Sequence, residues 1–168
     1  MKFLSGDPKF WKAQRWPLLL GLALLIVFAG GVMSPGLFLA FGVHVIHPIF
    51  SDLIAILAAG EAAQQGWDVY ASNPLDPLNR PHVYGPWWLV TGELGFVRMD
   101  AWWIGLLLAL SFVIVAVKVL APHNRRTALV GVLLLVSPPV LLGIERGNND
   151  LVIFLLLTAA VWLVTRVS

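Results

Sequence analysis

Asp52 is the first formal charge after a run from Trp16 to Ser51 that holds no Asp, Glu, Lys or Arg. A carboxylate in that position lies near a bilayer surface, where acids are costly and tend to be functional. Two roles are open to it. It falls in the first turn of a helix expected over Ser51–Gln65, with Ser51 as N-cap and Gly66 as stop, so it could simply satisfy the helix dipole. It could also belong to a functional site, as acids in that position tend to. Glu61 lies about two and a half turns further on, faces away from Asp52 and reads as solvated surface. His44 and His47 could join Asp52 as metal ligands. Pro48 breaks that geometry, so interfacial histidines are the plainer reading, and neither a cofactor nor a metal is expected.

A second polar cluster is Glu145-Arg146-Gly147-Asn148-Asn149-Asp150. Gly and Asn suit a tight turn. Arg146 could hold a phosphate, which its planar fork matches, or it could pair with Glu145 or Asp150. Between the two clusters run Gly66-Trp67-Asp68-Val69-Tyr70, the turn-rich Asn73–His82 stretch and Tyr84-Gly85-Pro86-Trp87-Trp88. These aromatics could floor a sugar or lipid site, or form the belt that indole and phenol rings make at a membrane interface.

Such residues have to be positioned by a chain that is 59% hydrophobic and 12% charged. Soluble domains carry about 25% charged residues, so a soluble enzyme or nucleic-acid-binding domain is excluded. The net charge of +2 is scattered, with no stripe to follow a phosphate backbone. The lack of Cys removes disulfides, thiolate metal sites and Cys nucleophiles. A span needs about 20 apolar residues. The segments that approach this are residues 17–34, 101–121, 128–143 and 151–165. The first reads as an uncleaved anchor, because its apolar run exceeds the core of a signal peptide. Pro138-Pro139 remove two helix donors and favour a bend in the third. Residues 84–97 carry Glu93, Pro86 and several Gly, and make a poor lipid-facing span.

If residues 84–97 do not cross, one side holds Lys2, Lys9, Lys12, Arg15, Arg125, Arg126 and Arg166, with Lys118 at its edge. The other side holds Arg80, Arg98 and Arg146 with every acid except Asp7. Basic residues prefer the cytoplasm. The expectation is therefore an all-α polytopic membrane protein of the cell (inner) membrane, with about four transmembrane helices and both termini cytoplasmic. Residues 1–15 form a leader, and residues 35–100 form an outer segment with juxtamembrane helices.

Taken in order, the anchor, Asp52 opening a helix, Gly66-x-Asp68-x-Tyr70, Tyr84-x-Pro86 and Glu145 to Asp150 entering a span resemble the N-terminal part of GT-C-fold membrane glycosyltransferases. The likeness is to the family 87 polyprenyl-phosphate mannosyltransferase type. It implies hexosyl transfer, with mannosyl as one candidate, from a polyprenyl-phosphate sugar donor to an extracytoplasmic acceptor. Asp52 then matches the catalytic carboxylate, and Arg146, Asn148, Asn149, Asp150 and Tyr84 belong to substrate binding. The Tyr-Pro-Pro pattern of that family stands here as Tyr84-Gly85-Pro86. Such transferases have more spans, so the chain is expected to act with a second polypeptide or a continuation that completes the bundle, and to be inactive by itself. The rival reading is a non-enzymatic scaffold or subunit of an envelope complex. Transport is disfavoured because Lys118 is the only ionisable residue within the spans, and it lies near an end.

Reporter fusions after residues 75, 124, 147 and 168 are expected to read outside, inside, outside and inside. An outside reading at residue 124 would restore residues 84–97 as a span and overturn this topology.

Overall fold

The computed structural model describes residues 8–167; Met1 to Asp7 of the expected leader, and Ser168, lie outside the described residues. All regular structure among the described residues is helical: α1 (Pro8–Met33), α2 (Pro35–Ala40), α3 (Ser51–Gln64), α4 (Val90–Glu93), α5 (Ala101–Leu120), α6 (Arg125–Leu135), α7 (Pro138–Arg146) and α8 (Asn149–Val167). Short 3-10 turns at Pro86–Leu89 and Arg98–Asp100 precede α4 and α5. Three helices are long and apolar enough to cross a membrane, within Arg15–Met33, Arg98–Leu120 and Asn149–Arg166. The pair α6 and α7, bent by 57°, is a fourth candidate. Residues 84–97 form only the Pro86–Leu89 turn and four-residue α4, too short to span.

Several boundaries differ from those expected. Helix α1 runs from Pro8 straight through Pro17, so residues 8–15 of the leader are helical. Helix α8 has 19 residues, or about 28 Å at 1.5 Å per residue, and is long and apolar enough to cross a membrane. Its polar first turn explains the difference. Asn148 Oδ1 accepts the Asp150 backbone N–H at 2.9 Å, and Asp150 faces the positive end of the helix dipole. The two halves of the bent pair are short, with 11 and 9 residues, because Pro138 and Pro139 cannot donate to the turn before them.

The chain forms two compact units, the described residues up to Val45 with Ser111–Leu142, and Ile46–Leu110 with the residues from Gly143 on. In the first, α1 packs on α6, with Leu20 and Leu24 buried, and Leu20 seated against Gly131. Helix α2 folds back on α1, placing the buried Phe38 ring over Gly31 and 6.3 Å from Phe28.

The second unit is organised around α3, nine of whose 14 residues are buried. The helix is small on its packed faces, and Ala59 and Ala62 join Val69 in one cluster. Ser51 does not cap it. The N-cap is Phe50, in the left-handed region at φ 63°, and Ser51 is the first helical residue. Tertiary contacts override the local preference. The Phe50 N–H donates to the Glu145 carbonyl at 2.8 Å, and its ring lies where a Cβ on Gly105 would stand and 3.3 Å from one on Gly147. Gly147 needs its freedom twice over, having φ 61° and a hypothetical Cβ only 3.0 Å from Leu53.

Helix α3 meets α4 backbone to backbone at Gly60 and Gly92. A Cβ on Gly60 would lie 2.5 Å from Thr91 Oγ1 and 2.7 Å from the Gly92 nitrogen. Helix propensity alone favours Gly60→Ala by about 1 kcal/mol. The contact reverses that sign, and Gly60→Ala is expected to destabilise by about 1–3 kcal/mol. Thermal unfolding in detergent checks this; an unchanged or raised midpoint would show that the two backbones are free to part.

Candidate functional site: a buried carboxylate at the start of a helix

Asp52 is 7% exposed, although it sits in the first turn of α3. Both of its oxygens are engaged. Arg80 Nη1 donates to Oδ1 at 3.1 Å, and Asn148 Nδ2 donates to Oδ2 at 3.1 Å. The carboxylate thus joins the loop that carries Arg80 to the polar turn before α8, 96 positions further along the chain.

Arg80 is the residue on which this cluster converges. Its Nε donates to Asp76 Oδ2 at 2.9 Å and its Nη2 to Asp76 Oδ1 at 3.1 Å, a bidentate pair. The same Nη2 reaches the Ser51 carbonyl at 2.6 Å, and the Arg80 backbone N–H also donates to Asp76 Oδ2. The Asp76 hydrogen bond raises the Arg80 pKa most, burial opposes it, and the charges of Asp76 and Asp52 add to the rise. Arg80 is a fixed cation. The loop that presents it is anchored by Asn73, fully buried, whose Nδ2 donates to the Ala55 carbonyl in α3 at 3.1 Å.

Tyr84 belongs to the same neighbourhood. Burial raises its pKa most, the charge of Asp52 adds to this, and Arg80 and Arg146 oppose it, with Asp150 adding again. The buried His82 ring lies between Tyr70 and Tyr84, at centroid distances of 5.3 and 5.7 Å. Burial holds the His82 imidazole below its ordinary range, with a Gly85 backbone contact opposing. Trp87 and Trp88 stack at 4.3 Å, and Trp87 is exposed.

On the turn before α8, Glu145 is wholly buried. Its Oε1 accepts the Ile46 N–H at 3.3 Å, while Oε2 stands 4.0 Å from Arg146 Nε. Neither of those last two atoms has a hydrogen-bond partner among the described residues, and neither has Asn149 Oδ1. The Glu145–Arg146 approach is therefore an ion-pair distance without a hydrogen bond. Asp150 is exposed in the first turn of α8.

The structure places Asp52 and Asn148 in direct contact, with Tyr84, Arg146 and Asp150 inside the same electrostatic neighbourhood. Asn149 opens α8 with its side-chain oxygen buried. Glu61 is a correction. It is not solvated surface but pairs with Arg98 Nη1 at 3.1 Å and accepts the Arg98 backbone N–H, tying α3 to the turn before α5. Asp68 accepts the Tyr70 and Ala71 backbone N–H groups, a local turn contact. No three His, Asp or Glu side chains among the described residues are grouped to hold a metal ion. Arg80 and Asp76 are the residues that sequence reasoning passed over. Their i, i+4 opposite charges were visible, but inside a turn-rich stretch that gave no reason to read them as a pair.

Removing Arg80 leaves two buried carboxylates without their cation. The Arg80 side chain is 33% exposed, so the cost falls below that of a fully buried pair. Arg80→Met is expected to lower stability by about 1.5–3 kcal/mol, and Arg80→Lys to recover only part, having no fork for Asp76. Unfolding of the purified variants in detergent measures both; an Arg80→Met midpoint equal to wild type would show the cluster to be energetically idle.

Comparison of the chain with family models, with curated proteins and with solved structures returns no match.

Proposed function

We propose that the chain is a membrane glycosyltransferase of the GT-C-like type, moving a hexosyl group from a polyprenyl-phosphate donor to an acceptor hydroxyl, with Asp52 as general base. One observation carries the reading: a carboxylate buried at a helix start is held by Asn148 of the turn before α8 and by Arg80 of the outer loop. Each carboxylate oxygen has two lone pairs, so one contact on each leaves a site for a further donor. An acceptor hydroxyl there would give its proton to Asp52 as its oxygen bonds to the anomeric carbon. The bond from that carbon to the phosphate oxygen breaks, and the polyprenyl phosphate departs with the electron pair. Two fixed hydrogen bonds orient the base before reaction, which supports efficient proton transfer. The oxocarbenium-like transition state gains from the nearby carboxylate. Arg146, whose Nε makes no hydrogen bond, is suited to the departing phosphate, and Tyr84 lines the same neighbourhood.

A second reading has its own support. Both Asp52 oxygens already have partners, as in a purely structural ion-pair network, and that suits a membrane scaffold or a subunit that a second polypeptide completes. The two readings part in one experiment. Membranes containing the protein, with and without neighbouring membrane proteins co-expressed, are given radiolabelled polyprenyl-phosphate hexose and a mixed acceptor extract. Asp52→Asn keeps the shape and the Arg80 contact, and transfer is expected to fall by about 10²–10⁴. Undiminished transfer by Asp52→Asn, or no transfer in any combination, would leave the structural reading standing.

A further inference from the structure

The first unit has a charge pattern that the proposed reaction does not use. Its described residues, 8–45 and 111–142, include Arg15, Lys118, Arg125 and Arg126 but no Asp or Glu. Arg125 and Arg126 occupy the first turn of α6, where the helix dipole disfavours cations. The helix is started instead by Asn124, whose side chain accepts the Thr127 N–H at 2.9 Å, so the two arginines serve no capping need.

The same unit holds an apolar groove of about 400 Å³ between α1 and α5. Its walls include Pro17, Gly21, Leu22, Leu25 and Val117, and its one charged lining residue is Lys118, exposed in the last turn of α5. Gly21 keeps the wall open, since a Cβ there would have only Val117 Cγ2 near it, at 4.0 Å. From Leu18 to Leu25 the groove follows α1 for about 10 Å at 1.5 Å per residue. That shape accepts part of a single extended hydrocarbon chain. Hydrocarbon gains little by leaving one apolar surface for another inside a bilayer, so discrimination has to come from the head group. At the Lys118 end, a phosphate meets an exposed ammonium.

We infer that the groove between α1 and α5 is a binding site for an anionic phospholipid, its acyl chain lying along Gly21, Leu22 and Leu25 and its phosphate on Lys118. The site is independent of the transfer reaction proposed above and stands if that reading falls.

The test uses the full chain in vesicles of phosphatidylcholine mixed with phosphatidylglycerol, followed by gentle extraction and native mass spectrometry of the lipid that stays bound. Wild type is expected to retain phosphatidylglycerol above its share of the bilayer. Lys118→Gln, at an exposed position, is expected to lower that preference about fivefold, the effect of one basic residue near an anionic surface (about 1 kcal/mol). Lys118→Arg should restore it. Gly21→Leu, which fills the groove without touching a charge, should reduce the amount of lipid retained. Wild type holding the two lipids in bilayer proportion would overturn the site. So would Lys118→Gln with wild-type preference, which would assign the attraction to Arg125 and Arg126 acting on the bulk surface. Circular dichroism confirms that each variant keeps its helices.

Discussion

A carboxylate buried at the start of a helix has to be neutralised where it stands, and in this protein Arg80 does so. Its guanidinium holds Asp76 by two hydrogen bonds, Asp52 by one and the Ser51 carbonyl by another. The planar fork makes that arrangement possible; an ammonium would offer a point charge without the geometry. Because one cation serves two acids and a backbone carbonyl, the loop that carries Arg80 and the first turn of α3 are held as one piece. Asn148 extends that piece to the turn before α8. The cluster lies beside apolar helices, where an unmatched charge is far more costly than in water.

Such a junction requires backbones to come close, and the unit achieves this with small residues where elements cross. Gly60 and Gly92 bring α3 against α4, and Gly105 and Gly147 admit the Phe50 ring. Phe50 accepts a left-handed backbone because its N–H is bound by Glu145 and its ring is enclosed. The same chemistry would suit a reaction that must exclude water: a polar site assembled from distant segments, with few degrees of freedom left in the side chains that would act.

The two units divide the charge of the chain unequally. The first carries cations without acids among its described residues, while the acids Asp52, Asp76, Glu61 and Glu145 all lie in the second, three of them paired with arginines by hydrogen bond. The exposed apolar side chains of α8, among them Leu156, Leu157, Val161 and Leu163, require hydrocarbon or another helix around them.

Much of the frame was legible in the sequence because apolar run length and helix-breaking residues act locally. The long apolar helices near residues 17–34 and 101–121, the helix from Ser51, the bend at Pro138-Pro139 and the lack of a long helix over residues 84–97 follow from composition over short windows. So did the choice of Asp52 as the residue to watch, since a lone acid after a long uncharged run needs no partner to be conspicuous. What the windows missed was decided over distance. Ser51 lost its capping place to Phe50 because of a carbonyl at Glu145, Glu61 turned out to be paired because Arg98 was folded onto it, and α8 began early because Asn148 and Asp150 start it. Arg80 was only a charge to be counted until the loop from Asn73 to Arg80 was laid against α3. Local propensity determines where helices can form; which buried charges meet depends on the folded positions of residues 28 and 96 places apart, and only the tertiary structure decides that.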